Sequence, residues 1–246
     1  ASTVAHPRTL IIAQRDSAVR VIEHFVGLGR ATSFTNAVTE IVLEEAARVE
    51  HCKVQDESLN AYHIATIQAQ QAGEAISIIA NNNDVNGRVN FELYVPKQSA
   101  LHISSGDGAL NLEGVTGQIT LRSGDGPIEV ANGGGQLTVA TGDGLIRVIK
   151  FDGQGEARTG DGEINLDGNF NALSARTGDG TISLTVPAGS SFTIETNAPD
   201  EINNEGFTVA EDVTTSPRLK RWKIGNGGKV FVLRTGDGKI LLRPRQ

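Results

Sequence analysis

Two sets of side chains in this sequence have the types and spacing to do chemistry. Asp107, Asp125, Asp143, Asp161 and Asp179 each occupy a Ser/Thr-Gly-Asp-Gly turn, and successive members are eighteen residues apart. If each unit stacks on the last at the roughly 4.8 Å between strands, the carboxylates form a row. Neighbours about 5 Å apart repel by roughly 0.8 kcal/mol in bulk water, and by more where water is excluded. Ca²⁺ would relieve that repulsion, which makes these five the candidate cation ligands. The competing reading is that each Asp caps its own turn while solvent screens its charge. Calcium-binding solenoids carry further acidic or carbonyl ligands at a fixed spacing, and none is found here.

Glu23-His24, Glu50-His51, Cys52 and His63 form the second set, a soft-metal site if they approach one another across rungs. Strand alternation sends neighbours to opposite faces, so at most a subset can converge. Cys52 has no neighbour that obviously lowers its pKa and no catalytic constellation around it, so a packed or half-exposed thiol is expected. Paired carboxylates for glycoside hydrolysis do not stand out from the Asp row. The chain is expected to be no enzyme, to need no cofactor and to hold no metal beyond the Ca²⁺ candidates.

Composition fits elements that carry turns rather than active-site loops. With 246 residues, 29 glycines, 4% aromatics and no methionine, the chain reads as short strands joined by Gly-rich turns. A net charge of -7 with scattered basic residues argues against a nucleic-acid partner. The one basic cluster, Arg218-Leu219-Lys220-Arg221, reads as a solvated turn. No run approaches the eighteen apolar residues of a membrane span, and Ala1 to Leu10 lack a signal-peptide pattern. A soluble chain without membrane insertion is expected. One cysteine excludes an internal disulfide framework and leaves the compartment unread.

The repeat positions the Asp row. After each turn comes an alternating strand, at Leu110/Leu112, Ile128/Val130, Ile146/Val148, Ile164/Leu166, Ile182/Leu184 and Ile240/Leu242. Nine residues later a second pair appears, at Ile119/Leu121, Leu137/Val139, Gly155/Ala157 and Leu173/Ala175. Each unit is therefore two strands and two turns, coiled so that like positions form ladders. The turn glycines are expected to supply positive φ at a sharp corner, and Ser105, Ser123, Thr141, Thr159, Thr177 and Thr235 a hydroxyl ladder. Gly155 and Ala157 would leave a void, which Phe151 and Phe170 are expected to fill. Asp179 and Asp237 are 58 residues apart, so two degenerate rungs and a small insertion are expected between them, with Asn197 where another Asp would fall.

Residues 9 to 70 alternate with a longer period. Ala18-Val19-Arg20-Val21-Ile22-Glu23-His24 resembles Ala47-Arg48-Val49-Glu50-His51, and the offset is about 27 to 30 residues. Larger coils of the same kind of solenoid are expected.

The words Thr9-Leu-Ile-Ile-Ala-Gln, His24-Phe-Val-Gly-Leu-Gly, Phe34-Thr-Asn-Ala-Val-Thr-Glu-Ile-Val-Leu, Val49-Glu-His-Cys-Lys-Val-Gln and His63-Ile-Ala-Thr-Ile-Gln-Ala-Gln-Gln-Ala follow one another at family-like spacing. Over residues 8 to 72 they resemble the core β-helix of the SufB/SufD proteins, cytosolic scaffolds for iron–sulfur cluster assembly. That family's cluster-assembly Cys and His lie in segments without a counterpart here, so the resemblance implies a fold and not an activity. From about Arg88, the stretch Val89-Asn-Phe-Glu-Leu-Tyr-Val-Pro-Lys-Gln-Ser, the repeated Thr-Gly-Asp-Gly and the closing Gly225-Asn-Gly-Gly-Lys-Val-Phe-Val-Leu-Arg-Thr-Gly-Asp-Gly-Lys-Ile are similar to a bacterial adhesin-like family of unknown function. This resemblance implies a β-solenoid, commonly exported.

The expected fold is thus all-β, a parallel β-solenoid (β-helix), right-handed because parallel crossovers almost always are, with larger coils first and eighteen-residue coils after. Residues 1–75 would form the SufB/SufD-like segment and N-terminal cap, and residues 76–246 the turn-repeat solenoid. Pro244, Arg243 and Arg245 would blunt the far end against self-association of end rungs. One resemblance implies the cytoplasm and the other the cell envelope, a pairing that reads as an engineered chimera. The leading function is a non-catalytic structural solenoid. The alternatives are an adhesin-like module that binds a glycan, a protein or Ca²⁺ along one face, and a remnant iron–sulfur assembly scaffold.

Overall fold

Period-two alternation of inward and outward side chains becomes strand almost everywhere in the computed structural model, which describes residues 3–29, 32–71, 76–82, 89–197, 202–213 and 219–245. Among these residues there is no helix, and the strands form long, mainly parallel sheets. The chain divides into two units, Ala1–Gly106 and Asp107–Gln246. The join read from the sequence at 75/76 falls inside the first.

The first unit contains β1 (Thr3–Ala5), β2 (Arg8–Ala13), β3 (Ala18–Val26), β4 (Ser33–Leu43), β5 (Arg48–Asp56), β6 (Ala61–Gln71), β7 (Ile76–Asn82), β8 (Val89–Tyr94) and β9 (Leu101–Ser104). One parallel sheet runs from β1 and β2 through β4 and β6 to β8, and the other runs β3, β5, β7, β9. Ala18 lies beside Arg48, Ser33 beside Ala61 and Val49 beside Ile76. Ile11, Ala13, Ile41, Leu43, Val49, Ile67 and Ala69 are buried, while Leu10, Ile12 and Ile22 face outward.

In the second unit the turn repeat sets the register. It contains β10 (Leu110–Glu113), β11 (Thr116–Arg122), β12 (Ile128–Ala131), β13 (Gly134–Ala140), β14 (Ile146–Arg158), β15 (Ile164–Arg176), β16 (Ile182–Pro187), β17 (Phe192–Thr196), β18 (Ile202–Asn204), β19 (Val209–Asp212), β20 (Lys220–Ile224), β21 (Lys229–Arg234) and β22 (Ile240–Arg245). Ile128 stands on Leu110, Ile146 on Ile128, Ile164 on Ile146 and Ile182 on Ile164. Fully burying one such side chain contributes about 1.5–3 kcal/mol, so these apolar columns hold the coil while the turns only permit it.

Phe151 and Phe170 do fill the place left by the small residues. Each is 1% exposed, and their rings stack at 6.2 Å. A Cβ on Gly155 would come within 2.9 Å of Leu173 Cδ1 and 3.3 Å of Phe170 Cε1, so the glycine makes room for the ring.

One expectation about the turns is corrected. The glycines of Thr-Gly-Asp-Gly do not adopt positive φ; that conformation lies at the opposite corner, at Gly114, Asn132 and Lys150, and at Gly117, Gly135 and Gly153. What excludes a side chain from the Gly-Asp-Gly corner is the next rung. A Cβ on Gly142 would lie 2.6 Å from the Gly124 carbonyl oxygen, and one on Gly160 2.7 Å from that of Gly142.

The end of the unit is threaded out of order. β22 lies between β16 and β18, and β21 between β15 and β17, so Gly236 N–H donates to the Gly178 carbonyl. The last Thr-Gly-Asp-Gly follows that of Asp179 directly in space, and the two intervening rungs expected from the 58-residue gap are not between them. Pro244 and its arginines therefore do not blunt an end. Ile240–Leu242 are paired on both sides, and the outer strands of the other ladder are β20 and β19, both antiparallel. Lys220 and Arg221 belong to β20 rather than to a turn; Arg221 Nε is 3.4 Å from Glu195 Oε1.

Candidate functional site

The turn ladder uses its polar atoms on its own backbone. Thr159 Oγ1 lies 3.0 Å from both the Gly142 and Gly144 carbonyl oxygens of the preceding rung, and Thr141 and Thr177 repeat the contact. Thr235 does the same to Gly178 and Gly180, and accepts from Gly238 N–H at 3.0 Å. These threonines are 8% exposed or less. Asp143 N–H donates to Asp125 Oδ1 at 3.3 Å, and Asp161 N–H to Asp143 Oδ1 at 3.2 Å. Each such carboxylate thus caps the rung above. Asp107, Asp125, Asp143, Asp161 and Asp179 are all exposed to solvent. Among the described residues no three His, Cys, Asp or Glu side chains gather closely enough to hold a metal ion.

The first unit holds a different arrangement, a polar cluster in its interior. On β5 the inward positions after Val49 are His51, Lys53 and Gln55, exposed by 0%, 2% and 6%. Unpaired, they would be costly there. His51 Nε2 donates to Glu23 Oε2 at 2.8 Å, and the same carboxylate accepts from Thr9 Oγ1 at 2.7 Å and Thr39 Oγ1 at 3.0 Å. His63 Nδ1 donates to Glu57 Oε2 at 2.6 Å, where Gln55 Nε2 also donates, and Thr35 Oγ1 donates to Glu57 Oε1. The Lys53 ammonium lies 4.4 Å from the centre of the Phe25 ring, and that ring meets His63 edge-on at 4.7 Å.

Electrostatics follow from this packing. The hydrogen bond from His51, with help from Thr9 and Thr39 and against the cost of burial, lowers the Glu23 carboxyl to about 2. Burial lowers Lys53 to about 8, opposed by the charges of Glu23 and Glu57. Burial, with Lys53 nearby, also pulls His63 below its ordinary value.

Of the residues proposed as a soft-metal site, the structure brings together Glu23 and His51, and takes His63 to Glu57. Glu50 points outward and binds Arg20 at 2.8 Å, His24 is 4.0 Å from Asp56, and Cys52 is a half-exposed thiol on the outer face. The set does not converge, because residues adjacent in a strand take opposite faces. Lys53, Gln55, Glu57 and the three threonines were not singled out from sequence. Their signal is parity: Val49, His51, Lys53 and Gln55 share one face of β5.

Comparison with known proteins divides the chain similarly. Residues 1–97 match the family described as SUF system FeS cluster assembly, SufBD core domain, and residues 101–243 match Toastrack DUF4097. Protein ABCI7, chloroplastic, from Arabidopsis thaliana, is 29% identical over 73 residues, 29% of this chain and 15% of that protein's own length. No solved structure matches. With a β-solenoid-like second unit built on the turn ladder, and the match covering residues 101–243, the chain belongs to the Toastrack DUF4097 family, and its residues 1–97 are similar to a SufBD core domain.

Proposed function

We propose that this protein is a non-catalytic structural β-solenoid protein, whose two units are each right-handed, with larger coils in the SufBD-like unit and eighteen-residue coils in the second, and that it presents a regular surface. The observation that carries this is the Thr-Gly-Asp-Gly ladder, whose hydroxyls and carboxylates bond the backbone of adjacent rungs. A ligand that binds only the folded chain at a hundred times its Kd would raise stability by about 2.7 kcal/mol. Thermal unfolding against neutral glycans, and anaerobic incubation with iron and sulfide, should therefore leave the melting temperature unchanged and develop no visible absorbance. A visible cluster spectrum would favour an iron–sulfur scaffold instead.

One observation favours an adhesin-like second reading. Arg158, Arg176 and Arg234 stand side by side on β14, β15 and β21, exposed on successive rungs. A row of guanidinium groups at strand spacing suits an acidic polysaccharide. Binding to an acidic-glycan array that is lost in Arg176→Glu would establish it, and no binding to any acidic glycan would remove it.

A further inference from the structure

The geometry points to the last rung, β21 and β22, as an exchangeable element that pairs this chain with a second copy of itself. Residues 229–245 insert between strands formed earlier in the sequence, β21 between β15 and β17, and β22 between β16 and β18. Phe231, Leu233, Ile240 and Leu242 are 2% exposed or less, so the slot they occupy is apolar and matched to them. Every ladder bond of this rung is to a separate segment, and the same segment from another copy would make the same bonds. Only the connector distinguishes the two cases.

That connector is Gly225-Asn226-Gly227-Gly228. It must carry the chain from β20, antiparallel on one side of β17, to β21, parallel on the other, a span of roughly 9.5 Å across two strand spacings. Gly225, Gly227 and Gly228 have φ of 57°, 71° and 106°, conformations that a β-branched residue resists. Strain placed here opposes closure within one chain and leaves exchange between chains untouched.

The test uses the full chain, unchanged and as Gly227→Val/Gly228→Val, both carrying Cys52→Ser with Ser183→Cys and Leu241→Cys. Ser183 and Leu241 are register partners in adjacent parallel strands, within reach of a disulfide. Each is refolded at low and high concentration, then sized by light scattering and oxidised. The expected result is a monomer with an intrachain disulfide for the parent at low concentration. At high concentration, and for the hinge variant, a dimer linked through the introduced thiols becomes the main species. A folded hinge variant that stays monomeric with an intrachain link overturns the inference. If that variant does not fold, the parent decides: interchain linkage rising with concentration supports exchange, and monomer at every concentration overturns it.

Discussion

Asn197 closes its side chain on the backbone of Thr235, accepting from its N–H at 3.1 Å and donating to its carbonyl at 2.8 Å. These are the two bonds that a neighbouring strand would make, so a single amide extends the ladder past the end of β17. Asn197→Ala should cost about 1–2 kcal/mol in urea unfolding, and Asn197→Asp, which turns a carboxylate oxygen towards the Thr235 carbonyl in place of the donor, should cost at least as much. An alanine variant as stable as the parent would deny the cap its role.

Thr159 bridges two glycine carbonyls from a buried position, and valine is its near-isostere without the hydroxyl. Thr159→Val should destabilise by about 1–3 kcal/mol, while Thr159→Ser should stay within about 1 kcal/mol of the parent. Equal loss in both would assign the effect to packing instead.

Phe170 and Gly155 share one volume. Phe170→Ala should cost about 3–5 kcal/mol, and Gly155→Ala, which pushes a methyl group towards Leu173 and Phe170, about 1–3 kcal/mol. In the double variant the added methyl has space, so the costs should be less than additive, with a coupling of about 0.5 kcal/mol or more. Strict additivity would mean that the two sites do not share the void.

The interior cluster makes the first unit sensitive to acid and strengthens it in base. Glu23 is held at about 2 against an ordinary 4.5, so its contribution is full above 4.5 and is lost as pH falls through 2. His63 lies below its ordinary 6.5, so the unfolded chain takes up that proton first and stability declines as pH drops below 6.5. Lys53 is lowered to about 8 from 10.5, so the unfolded chain holds a proton that the folded one does not, and stability rises between 8 and 10.5. Urea unfolding followed by circular dichroism should show the first unit weaker at pH 4 than at pH 7 and stronger at pH 10 than at pH 8. Trp222, the one tryptophan, reports the second unit separately. Glu23→Gln should flatten the loss of stability below pH 4.5, and an unchanged loss there in that variant would contradict the assignment.

Much of the second unit was legible because its order is local. Ile128, Ile146 and Ile164 recur at a fixed spacing, and stacking them needs no knowledge of the rest of the chain. Gly236 on Gly178 was not legible, since its partner is chosen by which slot is left open and not by spacing. The turn glycines show a second limit: sequence says that only glycine fits, while the cause, a carbonyl in the next rung rather than a positive φ, exists only once rungs are stacked. In the first unit, hydrophobicity misleads about facing. Lys53 points inward while Ile22 points outward, because the opposite charges of Glu23 and Glu57 offset part of the cost of burying the ammonium.

On our proposal the Asp ladder serves the fold and not a ligand. Calorimetric titration of the chain with Ca²⁺ tests it most directly, alongside unfolding with and without the ion. No binding heat and an unchanged melting temperature are expected. Saturable heat that disappears in Asp143→Asn, together with a raised melting temperature, would contradict it.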